Sequence, residues 1–168
     1  MALLFEGPLR QSARALRLIS FIILLAAAGV EAAPLDRLLV ESDFVVLTCP
    51  LTHETHHLMN AARFALMKPS AYLVNVGRGP VIDETALVEA LRGNVIAGAM
   101  LDVYEHYRLA PDNPLRTLPN AVLTPHLAGS TRESRARAGR LAAEETLRML
   151  AGEAPLSFVN PECKTVKR

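Results

Sequence analysis

Four short apolar runs, rich in β-branched residues, recur between segments of helical length: Phe44–Cys49 (FVVLTC), Ala71–Val76 (AYLVNV), Val95–Val103 (VIAGAMLDV) and Ala121–Pro125 (AVLTP). The runs are apolar nearly throughout instead of alternating with polar residues, so each reads as a buried strand. Leu35–Glu41 reads as a short amphipathic helix, and Asn60–Met67 as a second one stopped by Pro69. Asp83 caps a third, DETALVEALR, which closes at Gly93. Pro111–Pro119 is loop, and Thr131–Gly152 is a long helix with Ser130 or Thr131 as its cap and Glu133 in its first turn. This order predicts an α/β fold: a doubly wound, Rossmann-like parallel sheet covered on both faces.

Composition narrows the partners. A chain of 168 residues, 51% hydrophobic and 21% charged, suits one globular domain. A net charge of +1 and the absence of any window combining basic residues with aromatics argue against a nucleic-acid partner. Cys49 and Cys163 are far apart and fit no metal or redox spacing. A cytoplasmic protein with reduced cysteines is the default. Leu18–Val30 is apolar and follows Arg10, Arg14 and Arg17, as in a signal peptide. It is too short to span a bilayer comfortably. Its basic lead is long and contains Glu6, so a helix packed on the domain is preferred, with no membrane partner. The expected organisation is an atypical segment 1–34, a cofactor-domain part 35–152 and a tail 153–168.

His53–His57 spells HETHH, the H-E-x-x-H pattern of zinc hydrolases. The pattern has meaning only on a helix, where two histidines at i and i+4 share a face. Here it follows a strand end and Pro50; Thr52 permits only a short helix ending by Asn60. A catalytic zinc also needs a third protein ligand, and Glu84 is the only nearby carboxylate in a helical context. A solvated polar loop with no metal is the preferred reading.

In open parallel sheets, ligands bind outside the carboxyl ends of the strands. The residues there are Cys49 and Pro50, then Gly77-Arg78-Gly79, then Asp102 to Tyr107, then His126. Arg78 between two glycines can fork onto a carboxylate, with the glycines allowing close backbone approach to a ligand; a surface arginine in a turn is the plain alternative. His126 can give a proton to a carbonyl oxygen, or be a structural histidine. Asp102 can accept from an amide, or simply form a strand-end turn.

Three blocks in order and spacing, LVNVGRGPVIDETALVEAL, AGAMLDVYE…PDNPL and LTPHLAGST, resemble the nicotinamide-binding domain of the D-isomer-specific 2-hydroxyacid dehydrogenases, and ESDFVVLTCPLTHETHHLMN matches the block before them. The resemblance covers about Pro34 to Glu162. It implies hydride transfer between NAD or NADP and a small 2-oxo or D-2-hydroxy acid. By resemblance, Arg78 holds the substrate carboxylate and C2 oxygen, and His126 is the proton donor or acceptor. Cys49, Pro50, Thr55, Val76, Gly77, Asp102, Ala128 and Gly129 line the cofactor.

Two departures stand out. The sequence holds no G-x-G-x-x-G, since its glycines before Gly77 are Gly7 and Gly29. The expectation is therefore the second half of such a domain, without the first βαβ unit and the substrate domain. The family also carries Glu five residues after the Asp, in D-V-F-E-P-E-P, where this chain has Tyr107. That Glu orients the His and favours its charged form. Glu105 could replace it only if the loop shifts. The chain alone is expected to be an impaired enzyme; a non-catalytic remnant serving as a binding or dimerisation module is the alternative, and a zinc hydrolase the remote one. An open strand edge at Phe44–Cys49 predicts a homo-oligomer.

Overall fold

The computed structural model describes residues 29–156. They belong to two compact units, one ending at His126 and one beginning at Leu127. In the first, α1 (Leu35–Glu41) leads into β1 (Phe44–Leu47), α2 (Ala61–Phe64), β2 (Tyr72–Asn75), α3 (Glu84–Arg92), β3 (Gly98–Leu101) and β4 (Ala121–Leu123). Short 3-10 turns occupy Gly79–Val81 and Pro114–Thr117. The strands form one four-stranded sheet in the order β1-β2-β3-β4, every pair parallel.

The helices begin where local chemistry supplies a cap. Asn60 accepts from the Arg63 N–H at the start of α2, and Asp83 from the Ala86 N–H at the start of α3. Leu35, Leu38 and Leu39 recur at i, i+3 and i+4 and are the buried face of α1. The strands are shorter than the apolar runs: the Phe44–Cys49 run pairs only to Leu47, and Val95–Val103 only over Gly98–Leu101. Thr48 and Cys49, and Asp102 and Val103, belong to the loops at the carboxyl ends, whereas Val95 to Ala97 lead into β3.

Strand order decides which face is covered. Each crossover steps in the same direction, and right-handed crossovers in one direction all fall on one face. Val45, Leu47, Leu73, Ala99 and Leu101 therefore join Leu39, Phe64, Leu87 and Leu91 in the core. On the opposite face, Phe44, Val46, Met100 and Val122 are 65%, 49%, 43% and 55% exposed. The parallel sheet is as expected, and the described helices of this unit, α1 to α3, pack on one of its faces. The reversal of direction that would put helices on the second face does not occur within these four strands.

In the second unit, α4 (Arg132–Leu150) starts at Thr131, whose hydroxyl accepts from the Ser134 N–H. None of its residues is buried, and Leu141, Leu147, Met149 and Leu150 are exposed. Among the described residues no helix is long and apolar enough to cross a membrane. The apolar segment expected to be helical before Gly29, Cys163 and the tail beyond Leu156 lie outside the described residues.

Candidate active site

The turn after β2 is built by one buried amide. Asn75, wholly buried in an otherwise apolar strand, accepts from the Gly77 N–H at 3.0 Å and donates through Nδ2 to the Arg78 carbonyl at 3.0 Å. Both hydrogen bonds close on the backbone that carries Arg78. The flanking glycines serve the same end. A Cβ on Gly79 would stand 1.7 Å from the Tyr104 carbonyl oxygen, and one on Gly77 3.0 Å from that of Cys49. The close approach inferred from these glycines is thus to the protein's own backbone. Arg78 is left exposed, with Nη1 donating to the Gly77 carbonyl at 2.8 Å.

At the end of β3, Asp102 is 6% exposed, and its carboxylate accepts from the Thr124 hydroxyl beyond β4. The Tyr104 hydroxyl donates to the Thr124 carbonyl at 2.7 Å, tying the loop after β3 to the loop after β4. Burial, then the nearby Asp102 charge, raises the Tyr104 phenol pKa, so it remains a donor. His126 follows with φ +58°. That left-handed conformation is uncommon for a residue with a side chain and is often found at functional positions.

These strand ends meet in one cleft of about 620 Å³. Arg78, Asp102, Tyr107 and His126 line it, beside Arg108, Arg116 and an apolar wall that includes Val103, Leu123 and Pro125. A ring carrying an amide suits such a wall, with Asp102 as an acceptor beside it; the nicotinamide end of the cofactor fits this donor and acceptor set.

The other cofactor candidates lie elsewhere. Cys49, Pro50, Thr55, Val76 and Gly77 follow β1 and β2 and are not in the cleft lining. Thr55 donates to the Pro50 carbonyl at 2.7 Å, which holds that loop closed, and burial pushes the Cys49 thiol up. Ala128 and Gly129 belong to the second unit, where the Gly129 carbonyl accepts from the Ser134 hydroxyl.

The HETHH segment forms turns, and no helix presents His53 and His57 on one face. One turn closes with the His56 N–H on the Thr52 carbonyl, and His57 then adopts φ +49°. His57 Nε2 lies 2.8 Å from Glu105 Oε1. Among the described residues no three His, Cys, Asp or Glu side chains are grouped to hold a metal. Glu84, the proposed third ligand, instead accepts from Asn113 Nδ2 at 2.6 Å and from the Glu105 N–H at 3.2 Å. Glu105 is equally occupied, since its Oε2 accepts from the Glu84 N–H at 3.1 Å. Glu105 thus has one oxygen on His57 and the other on α3, and Tyr107, at the rim of the cleft, is 88% exposed.

Sequence reasoning passed over Asn75, Thr124 and Tyr104, which position the site. Asn75 was detectable as a lone polar residue inside an apolar strand, because such a group must find partners. Thr124 and Tyr104 carry no comparable signal.

The family model for the NAD binding domain of D-isomer specific 2-hydroxyacid dehydrogenases matches residues 23–128. A glyoxylate reductase of Thermofilum pendens is 48% identical over 139 residues, 83% of this chain and 41% of that one. Glyoxylate/hydroxypyruvate reductase B of Klebsiella pneumoniae is 49% identical over 130 residues, 77% and 40% of the two chains. The chain thus spans about two-fifths of the length of these relatives. Among solved structures, the NAD-complexed D-isomer specific 2-hydroxyacid dehydrogenase of Lactobacillus delbrueckii ssp. bulgaricus superposes with a TM-score of 0.75 at 31% identity, over 79% of this chain and 44% of that one. The Xanthobacter autotrophicus enzyme, in complex with NADPH and MES, gives 0.68 at 41% identity, over 80% and 57%. With its sheet order, its strand-end residues and this match over most of its length, the chain belongs to the D-isomer-specific 2-hydroxyacid dehydrogenase family, in the NAD-binding domain.

Proposed function

We infer that the protein is an oxidoreductase component that carries the catalytic half of a nicotinamide site and acts on a small 2-oxo or 2-hydroxy acid. The observation that supports this best is the common cleft of Arg78, Asp102 and His126, which come from the ends of three neighbouring strands. Arg78 has a fixed backbone and can grip a carboxylate and the adjacent C2 oxygen by its fork. His126 gives a proton to the C2 oxygen on reduction and takes it back on oxidation. Asp102 faces the nicotinamide side. NAD or NADP, when bound, supplies or accepts the hydride at C2. Cys49, Pro50, Thr55, Val76, Gly77, Ala128 and Gly129 are the proposed lining of the rest of the cofactor path.

The test is turnover of the chain with reduced cofactor and glyoxylate or hydroxypyruvate, the acids named for its relatives. Arg78→Ala is expected to weaken substrate, and His126→Ala to abolish the reaction at unchanged cofactor affinity. Retained turnover in His126→Ala would overturn the assignment.

A second reading has its own support: a non-catalytic binding or dimerisation module. Tyr107 provides no carboxylate, and Glu105 is engaged by His57 and α3. Measurable cofactor affinity without turnover would favour it. The exposed sheet face and the outer edge of β1, which no strand among the described residues pairs, also support a homo-oligomer, for which light scattering is the check. A free thiol at Cys49 supports a cytoplasmic setting.

A further inference from the structure

The cleft holds an unbalanced set of charges. Arg78, Arg108 and Arg116 line it with His126, against Asp102 and Glu105 alone. The two carboxylates are already engaged. Asp102 accepts from Thr124, and Glu105 lies on His57 and the Glu84 N–H. Two of the three guanidinium groups also have internal work. Arg78 donates to the Gly77 carbonyl, and Arg116 donates through Nε and Nη2 to the carbonyls of Ala110 and Leu109. Arg108 is different. Among the described residues its guanidinium makes no hydrogen bond or ion pair, yet it lines the cleft. Its neighbour Tyr107 carries no carboxylate, so no acid in the adjacent position quenches it.

A cation without an internal partner, in a cleft that already holds an arginine for a carboxylate, is suited to a second anionic group. We propose that the site selects a 2-oxo or 2-hydroxy acid bearing a distal carboxylate, gripped at its C1 end by Arg78 and at its far end by Arg108. This rests on the preceding assignment of Arg78 to the substrate carboxylate. Arg108 is then the specificity residue. Its five donors in a planar fork match a carboxylate, which a lysine would meet only as a point charge.

The experiment compares two probes of equal carbon count, 2-oxoglutarate and 2-oxopentanoate, which differ in the distal carboxylate. Affinity of the full chain for each is measured by calorimetry with NADH present, alongside Arg108→Ala, Arg108→Lys, Arg116→Ala and Arg78→Ala. The dicarboxylate is expected to bind roughly tenfold tighter, as one charge-assisted contact at a wet site allows. The preference should shrink as salt is added. Arg108→Ala should erase the preference and leave 2-oxopentanoate affinity unchanged, with Arg108→Lys intermediate. Arg78→Ala should weaken both probes. Equal affinity of the two probes in the unsubstituted chain, with Arg78→Ala still weakening both, would overturn this proposal and leave the assigned function intact. A preference lost in Arg116→Ala but kept in Arg108→Ala would likewise overturn the role of Arg108. If neither probe binds, or Arg78→Ala changes nothing, the site assignment fails together with the proposal.

Discussion

The turn after β2 and the loop after β3 both bring side chains to the cleft, but they are built on opposite terms. The turn is closed by a buried amide on two backbone groups and by glycines set against neighbouring carbonyls. The loop exposes Tyr107 and Arg108 and is held at Glu105 and Tyr104. On the proposed assignment, the turn keeps one arginine in one place for a group common to all 2-oxo acids. An open loop can change its side chains without disturbing the fold, and it is where this chain departs from its family's pattern. On the roles proposed above, orientation falls to the turn and discrimination to the loop.

Substitutions that load the rigid turn should break this contrast most visibly. Gly79→Ala places a Cβ inside the Tyr104 backbone, so turn and loop must separate. Overpacking of this severity costs about 3 kcal/mol, readable as a lower midpoint in urea. Asn75→Leu should follow. It leaves the Gly77 N–H and the Arg78 carbonyl without their partner, at about 2 kcal/mol for buried groups that lose their bond. Asn75→Asp keeps the acceptor for Gly77 and should recover part of the loss in the same urea titration. Gly77→Ala is milder, because 3.0 Å from the Cys49 carbonyl requires only a small shift. About 1 kcal/mol is expected for it.

The loop should behave the other way. Tyr107→Glu, at a side chain 88% exposed, should change stability by less than about 0.5 kcal/mol. Its effect belongs to the chemistry. A carboxylate near His126 favours the imidazolium, so reduction near neutral pH should rise by about tenfold. No change in that rate would mean that this loop does not deliver residue 107 to His126, and the contrast between scaffold and tuning would need another basis.

Much of this was legible from the chain alone. The helical period gave α1 at its observed bounds, Asp83 caps its helix as its position suggested, and of Ser130 and Thr131 it is Thr131 that caps α4. Those signals act over three or four residues, within reach of one turn of backbone. Strand ends were less legible. The runs continue past the last ladder bond into loops that are buried after β3, at Val103, but exposed after β1 and β2, at Thr48 and Val76, so the runs overstate the strands. HETHH read locally promises a helix, but the strand end and Pro50 before it already favoured a polar loop, and turns are what the segment forms.

What the sequence by itself determined is the alternation of strands and helices, and with it the placing of Arg78, Asp102 and His126 at carboxyl ends of parallel strands. Period and capping are local, and crossover handedness does the rest. Only the tertiary structure decided which groups those residues meet. The Glu105 carboxylate finds His57 across 48 positions and the Glu84 N–H across 21. Gly79 proved to be a glycine for Tyr104, 25 positions on, and Asn75 the keystone of the turn. Strand order put the described helices of the first unit on one sheet face and left Phe44, Val46, Met100 and Val122 of the other exposed. Such pairings depend on distances set by the packed sheet, and side chains that far apart in sequence carry no local sign of each other.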